Sequence, residues 1–397
     1  MAEWVERKIS DIGTVVGGAT PSTKKPENYE DGKIAWITPK DLSTFSGRYI
    51  ERGERNITEI GLKSCSTQLL PPNTILFSSR APIGYVAIAA NEVCTNQGFK
   101  SVIPNENTDP LFLFYLLKYN KDKIEGMGSG TTFKEVSGNT MKNIVVNVPT
   151  DKKVQEKIAA ILGSIDDKIE ENEQINNNLE EQLSALFINM FGHSIDSLDN
   201  SDIKLGDLIE SVDNRGKTPP LSDEPTDYPI IDVRALSGNS RIIDYTNCTK
   251  YVSKETYNNW FRSGHPKEYD ILISTVGSLA EMKIFLGTIG CIAQNVVGFR
   301  TKGISPLYLY QYLNYIKNDL VAYNIGSVQP SIKVTHIIKH SIYVASKEDI
   351  EIFDSIARNI TKKIFANCQE NEALKQMRDT LLPKLMSGEL YVSNIKI

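Results

Sequence analysis

The pattern of apolar positions changes at residue 152, where a long helical repeat begins. From there to residue 191 apolar or small polar residues recur at alternating steps of four and three, without Gly or Pro after Gly163. A strict period of 3.5 residues predicts a helix that packs along a left-handed seam. The seam positions are Ile158, Leu162, Ile165, Ile169, Asn172, Asn176, Leu179, Leu183, Leu186 and Met190.

The same pattern returns about 195 residues later, near the C-terminus. An Asn in such a seam costs stability but fixes the register of the pair. In an antiparallel pair the residue numbers across each layer have a constant sum, which pairs Asn172 with Asn371 and Asn176 with Asn367. We therefore predict an antiparallel coiled coil; the alternative is two amphipathic helices that pack separately. The second set is Phe353, Ala357, Ile360, Ile364, Asn367, Asn371, Leu374, Arg378, Leu381 and Leu385.

The regions before each helix are also two copies of one unit, which a search for internal repeats detects first. Short β-branched and aromatic runs alternate with Gly, Pro, Asn and Asp, which predicts mostly β domains. Residues 110–123 and 306–317 each start with Pro and predict a buried helix. The fold class is α+β with a pseudo-twofold internal repeat. Its predicted domains are 1–150, 151–192, 193–346 and 347–397.

Charge and cysteine content narrow the class of protein further. The net charge of the 397 residues is -5, and residues 151–191 alone contribute 4 - 9 = -5. The globular regions are therefore close to neutral, which leaves room for a basic face but predicts weak nucleic-acid binding by the chain alone. Five cysteines without a CxxC pair, and no apolar run of about 18 residues, predict a soluble protein of a reducing cytosol with no membrane contact.

Several segments resemble one known family. They are Gly17-Gly18-Ala19-Thr20-Pro21, residues 36–42, the helix start at residues 155–162, and residues 381–390. In these, and in the order of domain, helix, domain and helix, the chain is similar to the specificity subunit of type I restriction-modification systems. The two copies differ where the first has Arg80-Ala81-Pro82 and the second has Val276-Gly277-Ser278.

The resemblance implies a role in DNA methylation and phage defence in a prokaryotic cytoplasm. Each target recognition domain would read one half of a bipartite, asymmetric site in double-stranded DNA. The helices would set the spacer and dock two methyltransferase (M) subunits, which restriction (R) subunits join. The resemblance implies no cofactor in this chain; S-adenosylmethionine, ATP and Mg2+ would bind the partner subunits.

Base edges in the major groove are read by Arg or Lys at guanine and by Asn or Gln at adenine. We expect Lys24 and Lys25 to contact phosphates, and Arg80, which has no basic counterpart in the second copy, to read a base. Gln97 and Gln294 follow matched cysteines, so a shared structural hydrogen bond is an alternative for both. The candidate DNA contacts are Lys24, Lys25, Lys40, Arg80, Gln97, Lys134, Arg215, Lys217, Arg234, Lys283, Gln294 and Gln329.

Catalysis by the chain itself is not expected. The proline pairs at residues 70–73 and 218–221 lack the polar and aromatic neighbours of an adenine methyltransferase loop. Asp270, Glu281 and Lys283 have the spacing of a metal-dependent nuclease, but the first copy has Tyr85 and Ala87 in that region. We predict a non-catalytic subunit without a metal. A nuclease with duplicated DNA-binding domains and a coiled-coil scaffold without a DNA role are the alternatives.

Overall fold

The computed structural model describes residues 3–130, 134–197, 202–287 and 289–392. The chain forms two compact units: unit 1 is Met1–Glu170 with Glu372–Ile397, and unit 2 is Glu171–Asn371. Each unit therefore consists of one globular region and parts of both long helices.

Unit 1 contains a five-stranded, a three-stranded and a two-stranded sheet with the orders β2-β9-β6-β7-β4, β5-β3-β8 and β1-β10. Its elements are β1 Trp4–Lys8, α1 Ile9–Ile12, β2 Gly13–Gly17, β3 Ile34–Ile37, α2 Pro39–Ser43, β4 Tyr49–Ile50, β5 Arg55–Ile57, α3 Glu59–Lys63, β6 Ile75–Ser79, β7 Ile83–Ala89, β8 Val93–Thr95, β9 Lys100–Pro104, α4 Pro110–Tyr119, α5 Lys121–Gly126, α6 Gly138–Asn143, β10 Val145–Pro149 and the first part of α7 Lys152–Phe187.

Unit 2 repeats this topology in shorter form. Its four-stranded sheet has the order β11-β16-β13-β14, which corresponds to β2-β9-β6-β7, and β12-β15 is a parallel pair like β3-β8. The elements are α8 His193–Asp196, α9 Leu205–Leu208, β11 Ile209–Val212, β12 Ile230–Ile231, α10 Lys254–Trp260, β13 Ile271–Ser274, β14 Met282–Ile284, β15 Cys291–Ile292, β16 Val296–Thr301, α11 Pro306–Tyr315, α12 Lys317–Ala322, α13 Val334–Ile337 and α14 Lys347–Met386, whose end lies in unit 1.

The buried helix predicted in each copy is present as α4 and α11. In α4, Pro110 occupies the first turn and the Asp109 carboxylate accepts a hydrogen bond from the Phe112 amide at 2.7 Å. In α11, Ser305 caps the helix in the same position. A capping side chain and a first-turn Pro leave fewer amides without a partner at the start of a helix. Because both helices are apolar on nearly all sides, they lie in the centres of the two cores.

The long helices supply the rest of each core. In unit 1 they do so through predicted seam positions, whereas in unit 2 the buried ring is that of Phe187, which was not predicted as a seam position. In unit 1, Ile158, Leu162 and Leu385 pack around α4. In unit 2, the Phe187 ring lies 5.4 Å from the Phe353 ring and 5.6 Å from the Tyr308 ring, measured between centroids. A π-helical turn, Ile188–Gly192, follows α7.

The Asn side chains of the seam bond to one another within unit 2. The Asn172 amide donates to Asn371 Oδ1 at 2.8 Å, and the Asn367 amide donates to Asn176 Oδ1 at 2.7 Å. The Asn172 amide also lies 2.8 Å from Glu370 Oε2. Since the lower-numbered Asn of one helix pairs with the higher-numbered Asn of the other, the helices run in opposite directions through these two layers.

The globular regions are mixed α/β rather than mostly β. Helices such as α2, α3 and α6 have only five or six residues, which is too short to show a helical apolar period in the sequence. The same holds for α13, which has only four residues. Among the described residues, no helix combines the length and the apolarity that crossing a membrane requires.

Candidate functional site

In unit 1, main-chain hydrogen bonds connect the C-terminal end of β6, in the five-stranded sheet, to two loops. The Ser79 amide donates to the Gly98 carbonyl at 2.7 Å, and the Val136 amide donates to the Ser79 carbonyl at 3.0 Å. Ser129 and Glu135 close the second loop through two main-chain hydrogen bonds of 3.0 and 2.9 Å. We call this arrangement the loop frame.

Unit 2 contains the same loop frame at matching positions. The Thr275 amide donates to the Asn295 carbonyl at 2.8 Å, and the Ile332 amide donates to the Thr275 carbonyl at 2.9 Å. The Ile325 amide donates to the Ser331 carbonyl at 2.9 Å and closes the second loop. The main-chain hydrogen bonds of the loop frame are therefore duplicated along with the sheet.

The side chains on the two frames differ in charge. Glu135 of unit 1 lies 3.6 Å from Arg80 and 3.2 Å from Lys100, measured between carboxylate oxygens and side-chain nitrogens. In unit 2, Val276 and Ser331 occupy the positions of Arg80 and Glu135 and form a main-chain bridge without charge. One frame therefore presents a charged cluster at this point and the other an uncharged surface.

Gln97 and Gln294 bond to matching threonine hydroxyls in the two copies. Gln97 Oε1 accepts a hydrogen bond from the Thr20 hydroxyl, and the Gln294 amide donates to the Thr218 hydroxyl at 3.0 Å. Both glutamine side chains remain exposed. Both interactions match the alternative of a structural hydrogen bond, and they tie the loops that follow β2 and β11 to the loop frame.

The other predicted DNA contacts lie on the surface in two groups. Lys40, Arg215 and Arg234 pair with Glu54, Asp213 and Asp232 at 2.6 to 2.8 Å, so binding a phosphate there requires exchange of an ion-pair partner. The residues in exposed loop positions are Lys24, Lys25, Lys134, Lys217 and Gln329.

The prediction that Lys283 contacts DNA is corrected by the structure. Its side chain lies on β14 with 1% exposure, and its ammonium donates to the carbonyls of Gly238, at 2.7 Å, and Ser240. Buried ammonium groups need such acceptors because their desolvation is costly. Lys283 therefore binds a neighbouring loop of its own unit.

The residues of the nuclease alternative have separate structural partners. Asp270 accepts a hydrogen bond from Arg300 Nη2 at 2.7 Å, and Glu281 forms an ion pair with Lys317 at 3.0 Å. In the described part of the chain, no three His, Cys, Asp or Glu side chains are grouped to hold a metal ion. These contacts favour a structural role for the whole set.

The burial of Lys283 predicts a pH-dependent stability. Desolvation lowers the pKa of its ammonium from 10.5 to about 8. The unfolded chain then binds more protons between pH 8 and pH 10.5, so this group raises the free energy of unfolding as pH increases through that window. Urea titrations at several pH values are expected to show a smaller rise for Lys283→Met than for the wild type. Parallel profiles for the two proteins would contradict the assignment.

Two buried arginines that sequence reasoning missed link each globular region to α7. The Arg48 amide and Nε donate to Glu170 Oε1 at 3.1 and 2.9 Å. The Arg241 amide and Nε donate to Glu180 Oε1 at 2.8 and 3.0 Å. We call Arg48 and Arg241 the anchor arginines. Their signal was available in the repeat, since residues 47–50 read Gly-Arg-Tyr-Ile and residues 240–243 read Ser-Arg-Ile-Ile.

The fold and the loop frames define an internally duplicated protein, in which one scaffold carries two different surfaces. Residues 1–181 and 198–376 match the family described as the type I restriction modification DNA specificity domain. The specificity subunit of the MjaIX type I restriction enzyme of Methanocaldococcus jannaschii is 34% identical over 431 aligned positions, covering 99% of this chain and 95% of that protein. The HindI specificity subunit of Haemophilus influenzae is 25% identical and covers 98% and 100%.

A solved structure shares the fold. The type I restriction-modification S subunit from M. genitalium superposes with a TM-score of 0.56 at 17% identity, over 97% of this chain and 96% of that one. The match of the family to both halves, together with the full-length relative, shows that this chain belongs to the type I restriction-modification DNA specificity family. The resemblance read from the sequence is thereby confirmed.

Proposed function

We propose that this chain reads a bipartite, asymmetric DNA target, one half with each globular region. The observation that carries the proposal is the duplicated loop frame with different side chains at matching positions. A repeated main chain gives two similar approaches to DNA. Unlike side chains, such as Arg80 and Val276, give two different sequence preferences, because base identity is read by side chains at the groove edges.

The long helices form an antiparallel coiled coil that sets the spacer between the half-sites. Its support is the two Asn layers in unit 2 and the apolar seam on both helices. A polar layer aligns only in one register without leaving a buried amide unpaired. Register and helix length together would then determine how far apart the two half-sites lie.

The proposed partners are double-stranded DNA, two methyltransferase subunits and the restriction subunits of the same system, in a prokaryotic cytoplasm. S-adenosylmethionine, ATP and Mg2+ would bind to those partner subunits. This chain would contribute recognition and no catalytic step. Its net charge of -5 supports a division in which the partners supply much of the phosphate contact.

Deletion of the gene for this chain tests the proposal. Mapping adenine methylation at single-base resolution in the host is expected to show loss of one bipartite motif, and its return on complementation. Unchanged methylation after deletion would support the scaffold alternative. Metal-dependent cleavage by the purified chain that disappears in Glu281→Ala would support the nuclease.

Arg80 provides a test of half-site reading. Replacing Arg80 by Ala is expected to relax one position of one half-site, since a good Arg contact contributes about 1 to 3 kcal/mol of discrimination. Val276→Ala at the matching position of unit 2 is the control, and is expected to leave the half-site that depends on Arg80 unchanged. The measurement is the methylated motif in complemented cells, and an identical motif with Arg80→Ala would exclude the role.

A further inference from the structure

The second loop of the unit 2 loop frame carries an exposed apolar residue, Val328, in its middle. The Val328 side chain is 98% exposed, whereas the next most exposed large apolar side chain in the described part of the chain is Ile60 at 59%. Single exposed apolar residues are common on protein surfaces. The exposure becomes informative because the main chain around Val328 is tightly held.

The loop that carries Val328 is pinned at both ends. Asn324 Oδ1 accepts hydrogen bonds from the Gly326 and Ser331 amides at 3.0 and 2.9 Å. The Gly277 amide donates to the Pro330 carbonyl at 3.0 Å and fixes the loop to the end of β13. A loop closed on itself and on the sheet presents its tip at little further cost in conformational entropy when it binds.

Gly326 is required by this closure. A Cβ atom at residue 326 would lie 1.8 Å from the Gln329 carbonyl oxygen, so a side chain at this position is incompatible with the path of the main chain. The sequence thus maintains a tight turn whose outcome is to project residues 327–329 away from the frame. We call residues 327–329 the tip.

The first copy keeps the closure and changes the tip. Ser129 and Glu135 make the closing hydrogen bonds there, and Gly130 occupies the position of Gly326 with a φ of 129°. At the positions of the tip, Ser327-Val328-Gln329, the first copy has Thr131-Thr132-Phe133, which lie outside the described residues. The closing hydrogen bonds are kept while the tip residues differ. This pattern is expected of a loop whose tip determines DNA specificity.

We propose that the tip enters the major groove of the second half-site, with Val328 contacting a thymine methyl group and Gln329 bonding to an adenine. This inference rests on the proposed function and names the part of unit 2 that determines its specificity. Small apolar groups distinguish the thymine methyl, and Gln matches the paired donor and acceptor on the major-groove edge of adenine. The exposed Lys333 lies two residues beyond Ser331, where the loop closes. A phosphate contact from its ammonium would orient the tip without specifying a base.

The test uses tip variants in the full chain, produced with its partner subunits in cells that lack the wild-type gene. The variants are Val328→Ala, Gln329→Ala, and the triple change of Ser327→Thr, Val328→Thr and Gln329→Phe, which copies the first tip. Gly326 and Pro330 are kept so that the closure is unchanged. Gln329→Ala is expected to reduce discrimination at one base position by about 5- to 150-fold, which corresponds to 1 to 3 kcal/mol.

The half-site of unit 1 is the internal control. It is expected to stay fully specified in every variant, while the second half-site relaxes at one position in each single variant and changes in the triple variant. An unchanged second half-site in all three variants would overturn the inference and leave the proposed function standing. A wild-type complex that methylates no bipartite motif would overturn the proposed function itself.

Loss of complex assembly would overturn the inference in a different way. If purified tip variants keep the circular dichroism of the wild type but fail to retain the methyltransferase subunits on co-purification, the tip binds protein and not DNA. Because Val328 is almost fully exposed, its replacement by Ala removes no packing contact, so this variant keeps the test valid if the triple change misfolds.

Discussion

Arg241→Met is expected to destabilise unit 2 by about 3 to 5 kcal/mol, the usual cost of removing one partner from a buried ion pair. The Arg241 side chain is 0% exposed and donates to Glu180, to the Thr361 hydroxyl at 3.0 Å and to Gln311 at 3.5 Å. Methionine fills a similar volume but satisfies none of these acceptors. Urea unfolding of the full chain measures the loss, and hydrogen exchange at residues 240–243 is expected to assign it to unit 2.

The first copy supplies the matched control. Arg48 binds Glu170 and Asp167, whose side chains are 28% and 71% exposed, whereas the side chain of Glu180 is 16% exposed. Water can solvate the carboxylates that Arg48→Met leaves behind, and so this variant is expected to lose less. The double change of Arg241→Met and Glu180→Leu is expected to recover much of the stability, since neither charge then remains. An Arg241→Met variant that unfolds like the wild type would show that the anchor contributes nothing.

The parts of the fold that the sequence predicts are those with a regular period. The seam from Ile158 to Met190 repeats every 3.5 residues over ten positions, and the Asn pairs follow from their spacing alone. The buried helices α4 and α11 are marked by a first-turn Pro and by apolar residues in nearly every position. Each of these signals is local or repeated, so one sequence suffices to detect it.

The parts that the sequence does not predict depend on contacts between distant segments. Lysine is usually a surface residue. Lys283 can be buried because the carbonyls of Gly238 and Ser240 accept hydrogen bonds from its ammonium. Arg378 occupies a seam position as a charged residue because Asp166 lies opposite at 2.8 Å, within unit 1. The loop frame was also missed, since its hydrogen bonds join main-chain atoms whose side chains share no motif.

A heptad inserted into both long helices is expected to lengthen the recognised spacer. Seven helical residues add about 10 Å, and successive base pairs are about 3.4 Å apart, so the spacer grows by at most about three base pairs. The insertions belong at matched positions, between Gln174 and Ile175 and between Cys368 and Gln369. There they lie between the two Asn layers and keep Asn172 opposite Asn371 and Asn176 opposite Asn367.

Methylation mapping of the insertion variant tests whether the long helices set the spacer. Both half-sites are expected to stay the same while the gap between them increases, because the insertions leave the loop frames untouched. A heptad in α7 alone lets only one Asn pair stay aligned and displaces the other by about two turns, and is expected to abolish methylation by leaving polar seam residues against apolar ones. An unchanged gap with the matched insertions would mean that the helices do not set the spacing. If the single insertion abolishes methylation and the matched insertions lengthen the gap, the helices set the spacing through their mutual register.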